Sequence, residues 1–292
     1  MIRNQHRVAT SLSTFELYRK VQYNFSPSRI LQRNRKPYDT LGLARTFLAI
    51  RAREMSLPAN FPKSFGLVLY PEFELLDMAG PIEALSCLSR LPGFEALTLS
   101  IISRSLDPVK VGSNGIMSPQ QHLPSHTFAT APQLDFLLIP GGVGSVDWLP
   151  GTENNNVDDY VDFVRRAYHG YGSHKPLQYT MSVCNGTLLL IKAGVLDGRK
   201  ATTNKDLYYA IAERGPKTHW IGRARWVDSG NVWTTSGVSA GADGMLAWIE
   251  RLAGKDVVKE VMNMMEWRRV KMEDDDPFAD VFGTKDVPPK GQ

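Results

Sequence analysis

From residue 64 onward, short apolar runs alternate with longer amphipathic stretches. SFGLVLY (64–70) is apolar, lies between Pro62 and Pro71, and predicts a buried strand. In GPIEALSCLSRL, Ile82, Leu85 and Leu88 fall near helical spacing, Pro81 suits a first helical position, and Pro92-Gly93 is the stop. LTLSIIS (97–103) predicts the next strand, and VKVGSNGIMSP (109–119) an irregular hairpin around Asn114-Gly115. DFLLIPGG (135–142) reads as a strand running into a glycine loop. In 156–169, Val157, Tyr160, Val161, Val164 and Tyr168 share one helical face. QYTMSV (178–183) predicts a strand, followed by a helix through NGTLLLIKAG that stops near Gly194. HWIGRARWVDSGNVWTT (219–235) alternates and turns at Ser229-Gly230-Asn231, as a strand pair does, and two helices follow over roughly 240–253 and 255–269.

Strands alternating with helices at this spacing imply an α/β fold, a mostly parallel sheet with helices on both faces. One domain over 61–270 accounts for the pattern, with no internal repeat and no dividing linker. Beyond it, 271–292 is acidic and then Pro/Lys/Gly-rich, which predicts an unfolded C-terminal tail.

Composition is that of a globular chain able to bury a full core: 42 % hydrophobic and 22 % charged over 292 residues, with no apolar run long enough to span a membrane. The net charge of +4 divides unevenly. Residues 1–60 hold eleven basic and three acidic residues, while the remaining 23 basic and 27 acidic residues leave the body at −4. A mildly acidic body lacks the clustered basic surface that binds nucleic acid. The basic N-terminal extension, 1–60, is Arg- and Ser-containing and poor in acids, as an organellar transit peptide is, but Met55 opens a natural lead into the first strand. Transit peptide, disordered tail and over-extended gene model all remain open for it. Two cysteines argue against a disulfide framework and for a reducing compartment, the cytoplasm by default or the mitochondrion if the extension is a transit peptide.

In an open parallel sheet, ligands sit outside the carboxyl ends of the strands. Three distinctive segments fall there: LLDMAGP (75–81), GGVGS (141–145) and CNGT (184–187). Cys184, at a strand-to-helix junction among small residues, fits a nucleophile elbow, in which helix N–H groups and the helix dipole lower the thiol pKa. The competing reading is a buried, inert cysteine. Gly186 lets the backbone approach closely. Asp77 either caps the following helix or, in a dry crevice, exchanges protons with a substrate through a raised pKa. GGVGS matches neither a P-loop nor G-x-G-x-x-G, so its expected role is close backbone approach with a free N–H as oxyanion donor, and Gly141, Gly142, Asn185 and Gly186 are the expected substrate- or oxyanion-binding positions. Cys87 reads as packing. The six histidines show no metal-ligand spacing, and neither a metal nor another cofactor is expected.

LLDMAGPIEAL, DFLLIPGGVG, SVCNGTLLLIKAGVLDGRKATTN and TTSGVSAGADGMLAWI, in this order, resemble the ThiJ/PfpI superfamily, which shares the flavodoxin-like architecture of class I glutamine amidotransferases. The resemblance covers roughly 64–255. Within it, the Asp-x-x-Gly-Pro segment with a Ser-Val-Cys elbow is most similar to the isonitrile hydratase branch. The protease and glyoxalase-like branches usually carry His after the cysteine, where this chain has Asn185. The resemblance implies Cys184 as nucleophile, Asp77 as acid/base carboxylate, backbone near Gly142 and Asn185 orienting a small-molecule substrate, no cofactor, and a homodimer. Its reaction would be a lyase step, hydration of an isonitrile to an N-substituted formamide. Two departures bear on substrate positioning: Asn185 stands where Thr is frequent, and Asn204 stands where a common Ala-Thr-Thr-His-Trp stretch has His. Other outcomes the residues leave open are a different cysteine-dependent hydrolase or lyase, and a redox or small-molecule sensor using Cys184. Relatives that regulate transcription carry a helix-turn-helix domain after the sheet, and the residues beyond 270 are too few to supply one.

Overall fold

Each apolar run of the sequence becomes a short strand, and six of the seven strands in the main sheet run parallel. The structure, a computed structural model, describes residues 57–113, 115–117, 119–152 and 155–291. Residues 1–56 of the basic extension, and Asn114 of the expected hairpin, lie outside the described residues. In chain order the elements are β1 (Ser64–Val68), α1 (Leu75–Leu88), β2 (Thr98–Ser103), β3 (Val109–Lys110), β4 (Gln121–His122), β5 (His126–Thr127), β6 (Phe136–Ile139), α2 (Asp158–His169), β7 (Tyr179–Ser182), α3 (Thr187–Lys192), β8 (Lys200–Ala201), α4 (Tyr208–Arg214), β9 (His219–Trp220), β10 (Trp226–Ser229), β11 (Val232–Thr235), α5 (Ala240–Ala253), α6 (Lys255–Met265) and α7 (Phe278–Val281).

The sheet order is β10-β11-β7-β6-β1-β2-β5, with β10 antiparallel to β11. The chain winds outward from β1 through β2 to β5, then returns to β6 and winds the other way. The reversal falls between β1 and β6, where a doubly wound sheet opens its crevice at the carboxyl ends. Right-handed crossovers in opposite directions put α1 on one face and α2 on the other. Helices α1, α5 and α6 pack together as one layer, and α2 packs with α3. The expected α/β fold is the observed one.

Register sets the core. Phe65, Phe136 and Tyr179 lie on one rung across β1, β6 and β7. Fully buried Trp248 of α5 covers that rung, with ring centroids 6.0, 4.9 and 5.6 Å away and Phe61 at 5.3 Å. Edge-on aromatic packing of this kind adds to area burial and fixes the lateral position of α5. On the other layer, Tyr160 and Phe163 of α2 pack on Phe128 and Tyr70. Asp158 and Asp159 in the first turn of α2, and Arg166 and His169 in its last, complement its dipole.

Two expectations change. LLDMAGP does not precede the helix, as a helix opening at Pro81 would require: α1 begins at Leu75, so Asp77 lies in its first turn and Pro81 lies inside the helix. Pro81 has no N–H to give the carbonyl of Asp77, four residues back, but the buried apolar side chains of α1 hold the helix across that gap. The C-terminal tail is not unfolded. Asp276 is fully buried 3.5 Å from Lys205 Nζ, Val287 and Trp220 exchange two backbone hydrogen bonds of 2.9 Å, and the Arg225 N–H donates to the Glu273 carbonyl at 2.6 Å. Composition counted the tail's charges without their partners: Lys205 matches Asp276, and β9 offers its open edge to Val287.

Candidate active site

The segment after β7 bends sharply into a single 3₁₀ turn, Cys184–Gly186, before α3. Cys184 takes φ 57°, a left-handed conformation unfavourable for a residue with a Cβ. Its surroundings over-determine it. The Cys184 N–H donates to the Ser236 carbonyl at 3.0 Å, and its carbonyl accepts from the Thr203 hydroxyl at 2.9 Å. The Thr187 hydroxyl in turn lies 2.8 Å from that of Thr203. These bonds hold the thiol at the carboxyl end of the sheet.

Asp77, from the first turn of α1, is fully buried. Its Oδ2 accepts from the Gly141 N–H at 2.8 Å, while Oδ1 has no protein hydrogen-bond partner among the described residues. Burial pushes its pKa well up, against the pull of the Gly141 bond. The carboxyl therefore resists ionisation and presents one oxygen that is not tied down.

The glycine loop joins the two. A Cβ on Gly141 would lie 2.8 Å from Asp77 Oδ2 and 2.9 Å from the Asn185 nitrogen, and one on Gly186 would lie 2.5 Å from the Pro140 carbonyl oxygen. Glycine at both positions is required by close approach. The Gly142 N–H donates to Asn185 Oδ1 at 2.6 Å, and the Gly186 N–H donates to the Val183 carbonyl at 2.9 Å. With Gly141 committed to Asp77, the N–H groups of Gly141, Gly142 and Gly186 are all taken. That corrects the expectation of free oxyanion donors there: local sequence showed glycine flexibility but not the long-range acceptors, Asp77 and Asn185.

Cys184 is also corrected in its ionisation. Burial, then the neighbouring Asp77 carboxyl, push its thiol far above the ordinary value, while the Val238 and Asn185 N–H groups and the Asn204 side chain hydrogen-bond the sulfur and pull the other way. Desolvation outweighs these donors, because only 6 % of Cys184 is exposed. The resting group is a neutral thiol.

Several residues at the site were not singled out by sequence. Tyr70, fully buried, donates from its hydroxyl to the Pro140 carbonyl at 2.6 Å, and burial raises its pKa against the pull of Ser145. Val238, at φ 21°, brings its N–H to the sulfur. Arg225 bonds both the Asp243 carboxylate, at 3.0 Å, and the Ser239 hydroxyl, at 2.9 Å, which anchors the turn containing Val238 to α5. No spacing in the chain signals these contacts. Asn204 was visible only as a departure from a pattern. A cavity of about 240 Å³ borders the same residues, with Asn204, Ser236 and Val238 among its walls. Among the described residues no three His, Cys, Asp or Glu side chains group as a metal site, and no helix is long and apolar enough to cross a membrane.

Comparison with known proteins places this geometry. The chain is 30 % identical to an isonitrile hydratase of Pseudomonas putida over 203 residues, which is 69 % of this chain and 77 % of that one. It is 28 % identical to the HTH-type transcriptional regulator GbdR of Pseudomonas aeruginosa over 228 residues, 76 % of this chain but only 56 % of the regulator. The crystal structure of a ThiJ/PfpI family protein from Pseudomonas syringae superimposes with a TM-score of 0.55 at 26 % identity, covering 72 % of this chain and 77 % of that one. The sequence profile of the DJ-1/PfpI family matches residues 63–251, so the chain belongs to the DJ-1/PfpI family.

Proposed function

We propose that the chain is a cysteine-dependent lyase of isonitrile hydratase type, converting R–NC and water to an N-substituted formamide. The observation that carries the reading is the pairing of a strained, buried Cys184 with Asp77, a buried carboxyl whose pKa burial raises and whose Oδ1 is untied. Similarity to the Pseudomonas putida isonitrile hydratase supports it.

The isonitrile carbon accepts a nucleophile and a proton at the same atom. A neutral thiol beside a protonated carboxyl supplies both. Sulfur attacks the carbon while Asp77 delivers a proton to it and receives the thiol proton, giving R–N=CH–S–Cys184 with Asp77 again protonated. The Val238 and Asn185 N–H groups and the Asn204 side chain hold sulfur as negative charge builds on it. Water then adds to the thioimidate carbon, its proton passing through Asp77 to nitrogen. The C–S bond breaks with return of the proton to sulfur, releasing R–NH–CHO and the free thiol. No step requires a cofactor. We take the working form to be a homodimer, which sedimentation tests directly.

A sensor role for Cys184 is less well supported. Redox-sensing cysteines are exposed and low in pKa, and this one is neither. The deciding experiment is formamide production from an alkyl and an aryl isonitrile by the wild type, Cys184→Ala and Asp77→Asn. Turnover lost in both variants supports the reaction; no turnover by the folded, reduced wild type overturns it.

A further inference from the structure

The family match ends at residue 251, and the chain continues as an ordered segment that returns to the site. Five kinds of contact fasten it. Buried Asp276 faces buried Lys205, whose Nζ also bonds the Thr202 hydroxyl at 2.7 Å and the Ala224 carbonyl at 2.9 Å. The Glu273 carbonyl is held by Arg225, and Val287 pairs with Trp220. The Thr284 hydroxyl donates to the Gly222 carbonyl at 2.8 Å, and the Gly222 N–H donates to Asp286 at 2.8 Å. The Tyr209 hydroxyl bonds both the Gly283 carbonyl, at 2.9 Å, and the Lys285 N–H, at 3.1 Å. Fastening on both sides of α7 fixes where that helix presents its side chains.

Those side chains include Phe278 and Phe282, which form one wall of the cavity of about 240 Å³. Facing them are Asn204 and Val238, which hydrogen-bond the Cys184 sulfur, and Ser236, whose carbonyl takes the Cys184 N–H. The cavity therefore runs from residues that contact Cys184, which itself does not line it, to two aromatic side chains. Phe278 and Phe282 are 46 % and 44 % exposed, so each keeps apolar surface uncovered by the protein. An apolar cavity of about 150 Å³ is enough to hold benzene. Two charged residues line the cavity: Lys205, which is buried and turned to Asp276, and Asp206, which is exposed at the rim.

We propose that the C-terminal segment completes the substrate pocket, and that Phe278 and Phe282 select an apolar substituent of single-ring or branched-alkyl size on the electrophile that Cys184 attacks. The inference rests on Cys184 being the reacting group but not on the reaction being isonitrile hydration. Specificity then lies in a part of the chain outside the family domain, while the reacting groups lie inside it.

The test is binding of two non-reacting probes, N-benzylformamide and N-methylformamide, followed by titration calorimetry. The benzyl probe should bind the wild type and Cys184→Ala at least tenfold more tightly than the methyl probe, the range expected for filling an apolar pocket. Phe278→Ala and Phe282→Ala should each reduce that preference about fivefold to tenfold, and Phe278→Leu should keep most of it. Phe282→Trp should fill the cavity and exclude the benzyl probe alone. Equal binding of the two probes by the wild type, or a benzyl preference that survives both alanine variants, would overturn the proposal. Because the probes do not react, a wild type that binds selectively but turns over no isonitrile refutes the reaction and leaves the pocket standing.

Discussion

Asn185 and Gly142 hold one another by two hydrogen bonds: the Gly142 N–H donates to Asn185 Oδ1 at 2.6 Å, and Asn185 Nδ2 donates to the Gly142 carbonyl at 3.2 Å. This clasp ties the loop after β6 to the elbow after β7. Asn185→Ala would leave the Gly142 N–H buried without a partner, while the Gly142 carbonyl keeps the Ser145 hydroxyl at 3.0 Å and the Ser145 N–H at 3.2 Å. We expect a loss of about 2 kcal/mol, read as a Tm lowered by roughly 4–8 °C, together with a fall in turnover. A Tm within a degree of wild type would show that the clasp carries no load.

Burial of Asp77 raises its carboxyl pKa at a thermodynamic cost. Its folded pKa is raised above the ordinary 3.8, so the folded state holds a proton that the unfolded chain gives up, and stability declines as pH rises above that value toward the folded pKa. Asp77→Asn removes the titration. The variant should gain on the wild type as pH is raised above 4 in urea denaturation, while its turnover is lost. Parallel pH profiles would contradict the burial argument.

The Cys184 thiol, raised by burial and then by Asp77, should show no titration step near its ordinary pKa of 9.0. Its alkylation by iodoacetamide, located by peptide mass analysis, is expected to climb about tenfold per pH unit through pH 9 without a plateau, since only the thiolate reacts. Asp77→Asn should move that curve to lower pH. A plateau below pH 8 in the wild type would mean that the donors from Val238, Asn185 and Asn204 outweigh desolvation.

Lys205 and Asp276 form a pair with almost no exposure, and removing one partner strands a buried charge. Lys205→Met or Asp276→Ala should each cost about 3–5 kcal/mol in denaturant unfolding, and Lys205→Met with Asp276→Leu should recover most of it. Burial lowers the Lys205 pKa from 10.5 to about 8, against the attraction of Asp276. Between those values the unfolded chain binds the extra proton, so this residue makes stability rise from about pH 8 to pH 10.5. Loss of that rise in Lys205→Met would assign it.

What the sequence by itself determined is the layering and the meeting of loops. Runs such as SFGLV and FLLI, buried on both faces, can only be central strands, and their alternation with amphipathic stretches such as 158–169 dictates a doubly wound sheet. From that alone, the segments around Asp77, Gly141 and Cys184 had to gather at the carboxyl ends. Tertiary structure decided the chemistry of what gathered. Whether the Gly142 N–H is free depends on Asn185, 43 residues away, and whether the Cys184 thiol ionises depends on how much water the packed layers exclude. The tail was illegible for the same reason. Its charges looked solvated until Lys205, 71 positions earlier in the chain, supplied a buried partner for Asp276. Periodicity is a local property and survives in one dimension; desolvation and hydrogen-bond partnership are properties of contacts that only the folded chain makes.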